Sequence, residues 1–146
     1  MLFAKVLISN EGTIFVKISI SKNHFMTTKE ILETYYKGFA QKQGWETVIS
    51  DDFKFVGGDM TKTEPIVGKQ AYIDIIKRFS RLFQNMRAKE MIIDGDKACV
   101  IENYDYAFPN GKNINGDVAT IWKVKDNKLD ALTIFFDTLT FQVNTK

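Results

Sequence analysis

The order of elements constrains this chain more than any motif does. Two helical patterns come early, whereas strand patterns joined by tight turns fill the chain after Met86, down to Ile134-Phe135-Phe136-Asp137-Thr138. Helices that precede an antiparallel sheet usually cover one of its faces, and a curved sheet under helices encloses a pocket. The chain therefore reads as an α+β container. Its 146 residues suit a single domain, and an apolar fraction of 45% with 12 Phe supplies a core without disulfide or metal staples.

Charge and motif content narrow what the container can hold. Lys and Arg number 20 against 18 Asp and Glu, so no strong field exists to attract nucleic acid or an anionic membrane, and neither partner is expected. The single cysteine, Cys99, cannot form an internal disulfide, and with the single histidine, His24, it cannot build a metal cluster. Cys99 sits mid-strand between Ala98 and Val100 and reads as an inert core thiol; His24 reads as surface. Asp51-Asp52 lie on an extended segment, point to opposite sides and read as a structural turn. No cofactor is expected, because no cofactor, metal or nucleophile motif occurs. Near the start, Lys5, Asn10, Glu11 and Lys17 interrupt the apolar run, so a signal-peptide core is not expected and a reducing cytoplasm is the natural setting.

Val, Ile and Phe crowd residues 2–8 and 13–20 around Ser9-Asn10-Glu11-Gly12, which predicts a β-hairpin. Thr27-Thr28-Lys29-Glu30 is a capping-box pattern at which many domains of this size begin. Residues 1–25 are thus either an added arm or an upstream extension, with the domain itself over 26–146. A first helix is predicted over 28–42, with Ile31, Leu32, Tyr35, Phe39 and Ala40 as its apolar stripe and Gly44 ending it. Trp45, Val48 and Ile49 suit a short helix, Phe53-Lys54-Phe55-Val56 a short strand, and Gly57-Gly58 to Pro65 a flexible loop at the pocket lip. A second helix is predicted over 68–85, burying Tyr72, Ile75, Ile76, Phe79, Leu82 and Phe83. Four strands follow over 88–93, 97–108, 112–125 and 128–137, separated by Asp94-Gly95-Asp96, Pro109-Asn110-Gly111 and Asp126-Asn127.

These motifs carry a family resemblance. Ser50-Asp51-Asp52-Phe53 leads into a strand, Val67-Gly68-Lys69-Gln70-Ala71-Tyr72-Ile73 opens a helix, and a last strand follows Lys125-Asp126-Asn127-Lys128-Leu129 and ends in Phe-Phe-Asp-Thr. Over about residues 26 to 141 the chain resembles the nuclear-transport-factor-2-like superfamily, particularly its SnoaL-like branch. The resemblance implies a cone-shaped half-barrel, with helices packed on the concave face of a strongly bent, mainly antiparallel sheet. It also implies a pocket between them for a small apolar molecule, and a homodimer through the outer face of the sheet. Ketosteroid isomerase, another member, needs an aspartate base after the Asp-Asp strand, a tyrosine donor on the first helix and a protonated aspartate deep in the sheet. Tyr35 matches the tyrosine once a short gap is allowed, but the two acids fall near Gly57 and Thr120, so steroid isomerisation by that route is not expected.

Strand alternation sets Cys99, Ile101, Asn103 and Asp105 on one face and Val100, Glu102, Tyr104 and Tyr106 on the other. The resemblance turns the first set inward. Asp105 is then a candidate general acid or base with a pKa raised by desolvation, unless it sits at the wet strand end. Asp137 is the second candidate, with a strand-end cap or a subunit-crossing ion pair as its alternative, and period alone leaves open whether Asp137 or Phe136 faces the pocket. Tyr35 is the candidate donor, although both Tyr35 and Trp122 read first as pocket wall. Asn103, Ile101, Trp122, Thr120, Phe55 and Phe136 complete the expected pocket. Two functions follow: a cofactor-independent lyase, isomerase, cyclase or hydrolase acting on an apolar cyclic substrate, or a non-catalytic binding or dimerisation module.

Overall fold

A computed structural model of the chain describes residues 25–57 and 63–145. The expected N-terminal hairpin, His24 and the middle of the expected lip loop lie outside the described residues. The first helix, α1 (Thr28–Ala40), starts at the expected capping box: Thr27 Oγ1 accepts from the Glu30 amide at 3.2 Å, and Glu30 Oε2 accepts from the Thr27 amide at 2.7 Å. Its buried stripe is Ile31, Leu32, Tyr35 and Tyr36, while Ala40 is exposed. Gly38 lets the chain fold back tightly, since a Cβ there would stand 2.6 Å from the Trp45 amide nitrogen. That return forms a short 3-10 helix (Trp45–Val48) leading into β1 (Ile49–Val56).

A two-residue strand, β2 (Ile66–Val67), pairs antiparallel with β1 and precedes α2 (Lys69–Phe79). The second helix is shorter than its periodicity predicts. The run from Phe83 belongs instead to β3 (Phe83–Asp94), because Phe83 pairs with Tyr106 and its ring packs against Phe39 and Tyr104. Tertiary pairing here overrides a short apolar run that helix and strand share. The expected meander follows as β4 (Lys97–Ala107), β5 (Asn113–Lys125) and β6 (Lys128–Phe135). Asp126 and Asn127 both adopt positive φ, 49° and 64°, as a type I′ hairpin turn requires.

The sheet order is β2-β1-β6-β5-β4-β3, and every neighbouring pair is antiparallel except β1 with β6. Register shifts at Ala88/Glu90 and Lys123/Val124 bend the long strands, as bulges do. The result is the expected α+β half-barrel. Its core joins Ile31, Leu32 and Tyr35 of α1 to Phe53, Tyr72, Val100, Trp122 and Leu132.

A third helix, α3 (Thr138–Asn144), which the strand and helix periodicities do not predict, follows β6. β6 stops at Phe135, and Asp137 caps α3 by accepting from the Thr140 amide at 3.0 Å. Asp137 is therefore neither the end of a strand nor a group inside the pocket. Among the described residues no helix is long and apolar enough to cross a membrane.

Candidate functional site

Between α1, α2, α3 and the concave face of the sheet lies a cavity of about 500 Å3, within the range of small-molecule sites. Its wall is largely aromatic, with Phe55, Tyr72, Phe83, Tyr106, Phe136 and Phe141 among its rings. Of the expected pocket residues, Tyr35, Phe55, Thr120, Trp122 and Phe136 line it. Glu102 is the one carboxyl among the described residues of the wall, and no Lys, Arg or His joins it. Among the described residues, no three His, Cys, Asp or Glu side chains form a possible metal site.

The facing of β4 is the reverse of what the resemblance implied. Val100, Glu102, Tyr104 and Tyr106 turn inward, and Ile101, Asn103 and Asp105 lie on the convex face, away from the cavity. Alternation separates the two sets but cannot say which is buried. The set with Val100 and two tyrosines buries more apolar area, which decides the matter. On the convex face, Arg87 reaches both oxygens of Asp105 at 2.8 and 3.4 Å and also bonds Asn103. Asn103, itself buried, bonds Asn115 at 2.9 Å and Asp117 at 2.6 Å, and Asp117 accepts from Lys89 at 2.6 Å. The hydrogen bonds from Arg87, then Asn115, hold the Asp105 carboxyl below the usual aspartate range, opposite to the expected rise. Asp137 is also held low, by the hydrogen bonds it accepts from Thr140. Neither aspartate is the acid of the cavity. Cys99, expected in the core, is half-buried and pairs across the convex face with Ile92 and Ile121.

Glu102 is 1% exposed. Its Oε1 accepts from the Tyr36 hydroxyl at 2.5 Å and the Thr120 hydroxyl at 2.9 Å, and its Oε2 accepts from the Tyr104 hydroxyl at 2.7 Å. Burial pushes the carboxyl above the usual glutamate range, although the hydroxyl donors pull it back, Tyr36 most of all. A buried charge without a cationic partner is costly, and desolvation exceeds the gain from neutral donors. Beside this group, the hydroxyls of Tyr35 and Tyr72 share one hydrogen bond of 2.8 Å. Burial raises both phenols, and the Tyr106 phenol is pushed up to about 12, with Glu102 adding to the burial effect. All these phenols stay neutral near pH 7 and serve as hydrogen-bond donors.

Two features escaped the sequence reading. The resemblance turned the Asn103 face of β4 inward and so put Glu102 on the other face, whereas in the sheet Glu102 pairs with Val118 and Thr120 reaches its carboxyl diagonally from β5. Tyr36 was passed over for its neighbour Tyr35. A second cleft of about 640 Å3 lies between the end of α1, α2 and β3, but it carries the exposed Lys42 and Lys77 and no buried acid.

The model of the SnoaL-like domain matches residues 32–131, more than half of the chain. The protein belongs to the SnoaL-like domain family. Solved structures agree on the fold. An NTF2-like protein of Burkholderia thailandensis superposes with a TM-score of 0.72 at 15% identity, over 83% of this chain and 98% of its own. A putative polyketide cyclase of Pseudomonas putida gives 0.65 at 16% identity, over 83% and 99%. TerC, co-crystallised with polyporic acid, gives 0.70 at 21% identity, over 81% and 97%. No curated protein matches the chain. With its aromatic cavity, this SnoaL-like chain is a small-molecule pocket protein.

Proposed function

We propose that this SnoaL-like protein binds a small, mainly apolar cyclic molecule in its cavity and moves a proton to or from it at Glu102. The observation that carries the reading is a carboxyl buried in an aromatic wall, among the described residues the single one there and without a cationic partner, the environment that brings an acid toward neutral-pH proton transfer. Oε1 already accepts two hydrogen bonds and Oε2 only one, so Oε2 is the oxygen with a lone pair left to carry the moving proton. In the basic form, Oε2 takes a proton from an acidic C–H bond of the ligand, and the electron pair moves onto the ligand's carbonyl oxygen. The neutral phenols of Tyr35 and Tyr72 are hydrogen-bond donors in reach of the same wall. TerC's co-crystal with polyporic acid supports a small organic molecule as the occupant.

The test is ligand screening by thermal shift with cyclic ketones, epoxides and polyketide mimics, followed by NMR of solvent-deuterium exchange into whatever binds. Exchange by the wild type that disappears in Glu102→Gln supports proton transfer. Binding without exchange, unchanged in Glu102→Gln, supports the second reading: a non-catalytic binding module. That reading is favoured by the near-complete hydrogen bonding of Glu102, which equally suits a polar group that only fixes the core.

A further inference from the structure

We infer that Trp122 is the positioning residue of this site: one indole N–H, shared between Tyr36 and Thr120, turns both hydroxyls onto Oε1 of Glu102 and leaves Oε2 as the side from which a proton moves. The inference rests on the reading that Glu102 is the proton-transferring group. It deepens that reading by naming what makes the two carboxyl oxygens unequal.

The geometry is a three-centre bridge. Trp122 Nε1 stands 3.1 Å from Tyr36 Oη and 3.0 Å from Thr120 Oγ1, and the indole is a donor only. Each hydroxyl has one hydrogen. With a lone pair of each facing the indole, both hydrogens are free to point to Oε1, 2.5 Å from Tyr36 and 2.9 Å from Thr120. Thr120 has another acceptor within reach, the Val100 carbonyl at 3.3 Å. Without the indole at its back, the Thr120 hydroxyl is freer to turn toward that carbonyl, and Oε1 can lose a donor. Trp122 itself cannot drift, since it is 1% exposed and its ring meets Tyr35, Tyr36 and Phe53 edge-on or tilted. Oε2 has no such bridge. Its single donor, Tyr104, lines the cavity and stacks on Tyr106, which lines it too. The carboxyl is thus closed on the Trp122 side and open on the Tyr104 side.

The test follows the Glu102 carboxyl carbon by NMR titration of the full chain labelled with carbon-13 glutamate. In Trp122→Phe and in Thr120→Val, the Glu102 midpoint should rise by roughly half to one pH unit, the effect of weakening one hydrogen bond to a charged oxygen. Thr120→Ser, which keeps the hydroxyl, should stay at the wild-type midpoint. The double variant should shift less than the sum, because the indole acts through Thr120. A Trp122→Phe protein that melts lower with its Glu102 midpoint unmoved would overturn the positioning role and leave only packing. If Trp122→Phe does not fold, the wild-type indole proton decides: it should exchange slowly and should exchange faster in Thr120→Val, and equal rates would overturn the proposal. A wild-type Glu102 midpoint in the ordinary glutamate range would sink the proton-transfer reading itself. A raised midpoint that no variant moves would sink only the role of Trp122.

Discussion

The hydroxyl of Tyr36 donates to Glu102 Oε1 at 2.5 Å, joining α1 to β4 across 66 positions of sequence. The bond ties the helical layer to the sheet through an acid in the cavity wall. Replacing Tyr36 with Phe removes a donor from a buried carboxyl and leaves the Trp122 indole one acceptor fewer. A loss of about 1–3 kcal/mol of stability is expected, together with a further rise of the Glu102 pKa. Thermal melts and carboxyl titration check both. An unchanged melt would mean that the hydroxyl contributes nothing net.

The pH dependence of stability separates Glu102 from the other acids. Its folded-state pKa is raised, chiefly by burial, so the folded state holds a proton that the unfolded chain has already released once pH passes about 4.3. Stability from this group is therefore complete below that pH and falls as pH rises through the folded-state value. Glu102→Gln should flatten that fall, so variant and wild type should differ most at the alkaline end of the window. Parallel Tm curves for the two proteins from pH 4 to 8 would count against a raised pKa.

Asp137 runs the other way. Hydrogen bonds from Thr140 hold its pKa low in the folded protein, so its contribution is present above about 3.9 and is lost as pH falls through the lower folded value. Asp137→Ala should fray α3 and loosen Phe141 and Gln142, which line the cavity. Ligand affinity should fall while the rest of the fold melts nearly as before. Asp105→Asn, on the convex face, should leave ligand binding unchanged. Impaired binding in Asp105→Asn alone would show that the convex face communicates with the cavity.

How much of this could be read from the residues depends on where the deciding contact lies in the chain. Thr27 and Glu30 are three positions apart, so the capping box and the start of α1 were plain. The I′ turn at Asp126-Asn127 is equally local, and so was the meander. The facing of β4 was not local. The family resemblance turned Asn103 and Asp105 inward, and nothing near them in sequence reveals Arg87 or Asn115 as partners on the opposite face. Glu102 looked like a surface acid because the hydroxyls that make its burial tolerable come from Tyr36 and Thr120. The end of α2 failed for a similar reason: Phe83 suits a helix stripe until Tyr106 pairs with it. α3 alone had a missed local signal, the Asp137-x-x-Thr140 cap.

Removing residues 1–25 should leave a folded domain. The start of α1 is held by its own capping box and by Thr28 Oγ1, which donates to the Gly95 carbonyl in the β3–β4 turn at 2.7 Å. Both attachments survive the truncation. A cooperative melt of the shortened chain is the expected outcome, and an insoluble product would show that the removed segment belongs to the core.

The convex face of the sheet should hold two copies together. Across it, the strand register sets Ile92, Cys99, Ile121 and Thr133 in one row and Glu90, Ile101, Ala119 and Phe135 in the next. Ile92, Ile121 and Phe135 are 64%, 43% and 54% exposed, a cluster of exposed large apolar side chains of the kind that marks a protein interface. The Arg87–Asp105 and Lys89–Asp117 pairs lie beside it, on the ladder toward the other end of β4. Such pairs suit a polar rim around an apolar centre. A dimer is therefore expected by size exclusion with light scattering at micromolar concentration. Ile121→Lys, which puts a charge at the centre of the row, should yield a folded monomer with its cavity intact. A wild-type chain that is monomeric at that concentration would rule the interface out.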